Sequence, residues 1–243
     1  MGMSADAPRR RRARGPRGPE SHEGAGGFGW TLVYPERASA PIGSRKPRAR
    51  IDFKEGEPLH LPVSVARELS AWDGPEAESR AEVLWRVRAS ADKVAWSRVV
   101  DMASRREYSA LEATRRLERD GFSSACAKRA VDKAVGLRVI DDARFAECFV
   151  RSKLAAGWGP LRIERELSLR GVEPSGLPGW PEAFLREGGG GSVLDRAREA
   201  LGRRPVPEKN AYPKLMRFLV SRGYPLAVAR DAVSERLSAA DDA

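Results

Sequence analysis

Cysteine and histidine are scarce in this 243-residue chain: Cys126 and Cys148, His22 and His60 are all it has. A disulfide framework or a zinc site needs more ligands at tighter spacing. Both cysteines are therefore expected as small core residues, and neither histidine stands in a ligand or base–nucleophile arrangement. No apolar run is long enough to span a membrane. No apolar segment follows the arginine-rich start, as a secretory or twin-arginine signal requires, so the expected compartment is the cytoplasm. The chain also lacks a Walker A loop, a Rossmann glycine fingerprint and a nucleophile elbow. The glycine run at 188–191 has no following Lys-Ser/Thr and reads as a linker. The expectation is a non-enzyme with no cofactor and no metal.

Charge is abundant but uneven. The formal net charge is +10, with 44 Lys+Arg against 34 Asp+Glu. Residues 1–50 hold 11 Lys+Arg against 4 Asp+Glu, whereas residues 51–243 hold 33 against 30. The excess is thus mostly a tail property, and the body offers no strong basic platform for duplex nucleic acid. Residues 1–27, with Arg9, Arg10, Arg11, Arg12, Arg14 and Arg17, cannot build a core and are expected to be a disordered basic tail. It reads either as a polyanion-attracting arm or as a solvated extension.

What organises the chain is a phrase that occurs three times: YSALEATRRLERDGF at 108–122, WGPLRIERELSLRGV at 158–172 and NAYPKLMRFLVSRGY at 210–224. Aligned on Gly121, Gly171 and Gly223, which lie 50 and 52 residues apart, they place Leu117, Leu167 and Leu219 in one column. Phe122, Val172 and Tyr224 form another. Each copy has helical spacing and ends on a glycine suited to a left-handed stop. A period of that length argues for a tandem array of small helical units, none of which buries its apolar face alone.

In order, residues 28–75 form a small appendage. Phe28, Trp30, Leu32 and Tyr34 alternate as in a strand. Arg50 to Phe53, a turn at Glu55-Gly56-Glu57, and Leu59 with Leu61 read as a hairpin that Pro58 and Pro62 confine to an edge or irregular pair. Val65, Leu69 and Trp72 have helical spacing. Residues 76–140 hold a helical lead-in and repeat 1, with stripes of Val83, Leu84 and Val87, of Val94, Val99, Val100 and Ala103, and of Ala127, Val131, Ala134 and Val135. Ser109 and Glu112 read as a capping box. Repeat 2 spans 141–187. Asp141 and Asp142 cap its first helix, a better reading than a metal pair because that position favours anions. Gly159-Pro160 opens the second helix, and prolines leave a third helix only from Pro181 to Arg186. The linker at 188–191 leads to repeat 3 at 192–243, which opens on a Ser192–Asp195 cap. The fold class is all-α, with a small irregular or β N-terminal appendage.

These residues resemble the RecX family, bacterial regulators of the RecA recombinase. The resemblance rests on Asp141-Asp142, Phe145-Ala146, Gly157 and Gly159, Arg162-Ile163, Glu166-Leu167 and Gly171-Val172. It extends upstream to Arg105, Tyr108, Ser109, Leu117 and Gly121, and downstream to Phe218-Leu219 and Arg222-Gly223-Tyr224, covering about residues 90–238. It implies three tandem three-helix repeats in an elongated, curved array, acting by binding. Family members lie in the groove of the RecA–DNA filament, bridge its subunits and restrain ATP hydrolysis and strand exchange, and some bind DNA. Roles in homologous recombination, DNA repair and the SOS response follow from the resemblance, as does action as a monomer. The proline-broken helix after Val172 and the long basic N-terminal extension depart from the family pattern.

The candidate partner-binding residues are Arg144, Arg151, Arg162, Arg165 and Arg170. Arg144 and Arg151 share an outward stripe with Glu147. Arg162 and Arg165 are three apart on the next helix, with Arg170 near its end. This face is expected to meet the acidic surface of a filament or its DNA; the alternative is a solvated face held by i,i+4 pairs such as Arg162 with Glu166. Trp158, between two glycines, reads as a core wedge aligned with Tyr108 or as an exposed hot spot. A nucleic-acid-binding helical module is the competing function, weakened by Glu112, Glu118, Glu164 and Glu166 among the cations.

Overall fold

The structure is a computed structural model and describes residues 20–23, 29–35, 46–73, 76–187 and 191–241. The arginine run of the tail and residues 188–190 of the expected linker lie outside the described residues. The chain forms two compact units, one of Met1–Ala95 with Leu117–Ala127 and one of Trp96–Arg116 with Lys128–Ala243.

In the first unit, β1 (Glu20–Glu23), β2 (Gly29–Val33), β3 (Arg48–Phe53) and β4 (Leu59–Pro62) make an antiparallel sheet in chain order. Its register pairs Leu32 with Ile51, and Ala49 with Leu61. These residues are all buried, the cross-strand pairing that fixes which side chains share a face. Helix α1 (Val63–Ser70) follows β4 directly and buries Val65, Ala66 and Leu69. The hairpin expected around Gly56 is present, and its proline-bearing strand β4 is an edge. The sheet is larger than a hairpin, and β1 falls inside the stretch taken as disordered tail. Strand β1 pairs through its backbone with β2, a driving force that Glu-Ser-His-Glu does not advertise in composition or periodicity.

Helix α2 (Arg80–Ala103) is one continuous rod of 24 residues. After it come α3 (Ala110–Arg119), α4 (Ser124–Gly136), α5 (Asp142–Ala155), α6 (Pro160–Ser168), α7 (Glu182–Glu187), α8 (Val193–Gly202), α9 (Ala211–Ser221) and α10 (Leu226–Asp241). The thrice-repeated phrase is the second helix of each repeat, α3, α6 and α9. All three stop the same way. Gly121, Gly171 and Gly223 have φ of +98°, +77° and +87°. The N–H of the next residue, Phe122, Val172 or Tyr224, donates to the carbonyl of Leu117, Leu167 or Leu219, closing a Schellman-type cap. The three leucines are fully buried.

Prolines shorten the third helix of repeat 2 to the six residues of α7, preceded by a 3-10 turn at Pro174–Gly176. Leu177, Phe184 and Leu185 nonetheless join Phe145, Val150, Ile163 and Leu167 in one core. Repeat 3 has its own core of Leu201, Leu215, Leu219, Tyr224, Ala229 and Val233.

Four side chains expected inside are on the outside. Leu84, Val100 and Val135 are 41%, 41% and 45% exposed beside buried Val83, Val99 and Ala134. Adjacent helical residues point about 100° apart, so where the buried stripe is narrow the neighbour of a central residue falls outside it. Cys148 is likewise exposed, whereas Cys126 is buried as expected.

Candidate functional site

Repeat 2 is joined to repeat 1 through the first turn of α3. Asp141 caps α5, accepting from the N–H groups of Ala143 and Arg144. The N–H of Arg144 is the main reason its carboxyl titrates below the usual range. Asp142 does not cap α5. Its Oδ1 accepts from the N–H of Ala110 at 2.8 Å, closing the start of α3. The two aspartates therefore satisfy two different helices. Ser109 supplies half of the expected capping box, accepting from the N–H of Glu112 at 3.1 Å. Its hydroxyl then donates to the carbonyl of Arg170 at 2.7 Å. The Glu112 carboxylate pairs with Arg106 and Arg170 and does not complete the box.

Repeat 2 meets repeat 3 at the equivalent place with different chemistry. Gly159, which aligns with Ser109, donates its N–H to the carbonyl of Arg222 at 2.8 Å, and Leu161 donates to that of Gly223. Arg222 aligns with Arg170, so a hydroxyl in one junction and a backbone amide in the other serve the same carbonyl. The second junction is tighter. A Cβ on Gly159 would lie 2.4 Å from the oxygen of Gly223, and one on Gly223 would lie 2.3 Å from the Cβ of Arg162. The Arg222 guanidinium completes the joint on the carbonyl of Ala156 at 2.8 Å. Tyr224, buried against the same turn, donates to the carbonyl of Arg196 at 3.2 Å, and burial pushes its phenol up from the ordinary value.

Between the junctions runs an alternating strip of cations and rings. Arg170 lies 4.9 Å from the ring centre of Phe149, Lys153 lies 5.2 Å from Phe149 and 5.0 Å from Trp158, and Arg162 lies 3.8 Å from Trp158. Phe149 and Trp158 meet edge to face. Trp158 is therefore neither a buried wedge nor a bare hot spot, but a half-buried ring flanked by cations, an arrangement worth about 0.5–1 kcal/mol per contact at exposed sites.

The five arginines singled out from sequence divide by contact. Arg144 pairs with Glu107 at 2.7 Å, which holds its guanidinium above the ordinary range, and reaches the carbonyls of Arg138 and Val139. Arg170 pairs with Glu166 and Glu112. Arg162 stacks on Trp158 and reaches the carbonyl of Ser221, not Glu166. Arg151 pairs with Glu147 and lies over Phe184. Arg165 is exposed, and its guanidinium has no hydrogen-bond or ion-pair partner among the described residues. The structure thus brings Arg162 and Arg170 to opposite ends of one strip, places Arg144 at the junction with repeat 1, and leaves Arg165 outward.

Sequence reasoning missed Glu107, Ser109 as a donor across the junction, and the junction contact of Arg222. The aligned copies carry the signal: Ser109 with Gly159 and Arg170 with Arg222 share columns. Among the described residues no group of three or more His, Cys, Asp or Glu could hold a metal ion, and no helix is long and apolar enough to cross a membrane. The arrangement is suited to holding repeats in register and presenting cations from a fixed frame.

A family model described as the second three-helix domain of RecX matches residues 141–175. Regulatory protein RecX of Pseudomonas putida (strain W619) is 30% identical over 146 residues, which cover 58% of this chain and 88% of that protein. The RecX of Pseudomonas fluorescens is 32% identical over 146 residues with the same coverage. Among solved structures, a regulatory protein RecX aligns over 76% of this chain and 92% of its own, at 20% identity and a TM-score of 0.49.

Proposed function

The chain belongs to the RecX family of regulatory proteins, and from that premise we propose that it binds the RecA–DNA filament and restrains the recombinase by gripping it, with no catalytic step of its own. The observation that carries this reading is the extent of the relationship: 88% of a regulatory protein RecX is matched at 30% identity. On this reading the protein acts in the cytoplasm, as a monomer, in recombination and DNA repair.

The gripping face is the outward side of α5 and α6. Arg165 and Arg151 reach the partner there, while Arg144, Arg162 and Arg170 set the frame through the contacts they already make. Charged groups of this kind steer and orient association more than they add raw affinity.

The test is inhibition of RecA-catalysed ATP hydrolysis on single-stranded DNA by the full chain and by Arg151→Glu/Arg165→Glu. The expected result is loss of inhibition with unchanged helicity by circular dichroism. Undiminished inhibition overturns the assignment of this face. Titration against RecA alone, naked DNA and assembled filaments across salt decides between this function and a nucleic-acid-binding module. Preference for the filament supports the proposal, and equal binding to naked DNA rejects it.

A further inference from the structure

The first unit carries an exposed aromatic face. Trp85 and Leu84 on α2 are 60% and 41% exposed, and Trp72, just past α1, is 41% exposed. The two indoles meet edge to face with ring centres 6.0 Å apart. Arg86 is buried beside them, its guanidinium 5.2 Å from the Trp72 ring centre. Glu82 pairs with Arg86 and uses its other oxygen to accept from the N–H of Glu78 at 3.0 Å. A chain of contacts thus joins Glu78, Glu82, Arg86, Trp72 and Trp85 in one patch.

The face is acidic. From Trp72 to Trp85 the sequence holds Asp73, Glu76, Glu78 and Glu82 against Arg80. Arg80 is engaged with the sheet, 4.7 Å from the Phe53 ring centre and donating to the carbonyl of Glu57. Asp73 and Glu78 are exposed, and their carboxylates have no hydrogen-bond or ion-pair partner among the described residues. Arg88, three residues past Trp85, is exposed and reduces the excess without cancelling it. Exposed rings beside unpaired carboxylates suit one class of side chain, since guanidinium is weakly hydrated, stacks on indole and forks to carboxylate. The same excess turns polyanions away. The chain carries the complement in residues 1–19, where Arg9, Arg10, Arg11, Arg12, Arg14 and Arg17 stand against Asp6.

We propose that residues 9–17 of the basic tail seat on this face of their own unit, with arginines over Trp72 and Trp85 and paired with Asp73 and Glu78. These residues lie between 3 and 11 positions ahead of Glu20, the first residue of β1. At about 3.3 Å per residue they reach up to about 36 Å, enough to cross a body of about 100 residues, whose radius of gyration is about 13 Å. A tether of this length holds the arginines near the face at about millimolar effective concentration. The contact is an internal rival for the tail: a polyanion captures these arginines only by displacing them from Trp72 and Trp85. The inference does not depend on the filament reading, and its test contains neither recombinase nor nucleic acid.

The test is limited trypsin digestion of the full chain, with cleavage after Arg9 to Arg17 followed by mass spectrometry and normalised to a free peptide of residues 1–19. At millimolar effective concentration, an interaction of about 0.1 mM affinity shields the tail about tenfold. Asp73→Asn/Glu78→Gln/Trp85→Ala is therefore expected to be cut in its tail about tenfold faster than wild type, with an unchanged thermal melt. Asp132→Asn/Leu137→Ala, which alters an exposed carboxylate and an exposed apolar side chain in repeat 1, should match wild type. Wild type in 1 M salt, where the screening length falls to about 3 Å, should lose its shielding. Equal rates in wild type and the face variant overturn the proposal. Shielding that rises with protein concentration places the tail on a second copy and overturns the contact within one chain. Shielding undiminished in 1 M salt overturns the ion pairs.

Discussion

The Asp142 carboxylate accepts from the backbone N–H of Ala110, 32 residues earlier in the chain, at 2.8 Å. A residue that reads as the first turn of its own helix thus closes the start of a helix in the preceding repeat, while its neighbour Asp141 caps α5. Asp142→Ala is expected to cost about 0.5–2 kcal/mol, the range for a lost N-cap. Hydrogen exchange should locate the change at the first amides of α3, with those of α5 still protected. The Asp141→Ala variant should show the reverse pattern at a similar cost.

The two junctions should respond differently to a single methyl group. Ser109→Ala removes the donor to Arg170 and the acceptor for Glu112, leaving buried polar groups unmatched at about 1–3 kcal/mol. Gly159→Ala removes no hydrogen bond, and its φ of −84° suits any residue. The added Cβ would nonetheless lie 2.4 Å from the Gly223 oxygen, an overpacking that costs about 1–3 kcal/mol. Denaturant melts of both variants check the magnitudes. Loss of protection in α9 for Gly159→Ala alone checks the mechanism.

Acid should loosen α5 through Asp141. Its folded-state carboxyl titrates below the ordinary range, chiefly because it accepts from the N–H of Arg144. A depressed folded value means that its stabilisation is fully present above the unfolded value of about 3.9 and is lost as pH falls through the folded one. Asp141→Asn should therefore flatten the decline in stability below about pH 4, measured by urea melts at successive pH values.

Thiol chemistry should separate the cysteines. Cys148 is exposed and Cys126 is buried. In the native protein one thiol per chain should react quickly with an aromatic disulfide reagent, and Cys148→Ser should remove that fast phase. Two slow thiols would contradict the placement of α5.

The repeat was legible because the rules that end a helix are local. Leu167, Gly171 and Val172 state their roles within six residues, and so do the corresponding residues of α3 and α9. The hairpin of β3 and β4 was legible for the same reason, from alternation and a glycine turn. Strand β1 was not, since its pairing depends on an open edge on β2 and leaves no mark in Glu-Ser-His-Glu. The candidate arginines were legible as surface cations, but their contacts were not. Arg144, Arg162 and Arg170 look like free surface cations until the neighbouring repeat supplies Glu107, Ser221 and Glu112. Sequence spacing names partners within a helix, whereas these partners come from the adjoining unit.

The proline-rich stretch after Val172 takes no part in the hydrogen bonds between α6 and the α9 stop, which run from Gly159 and Leu161 to Arg222 and Gly223. Connection length and stacking register are therefore separate variables in this chain. Residues can be added or removed between α7 and α8 without re-indexing the contact that sets the rise from one repeat to the next, and this uncoupling accommodates a spacing of 52 residues beside one of 50.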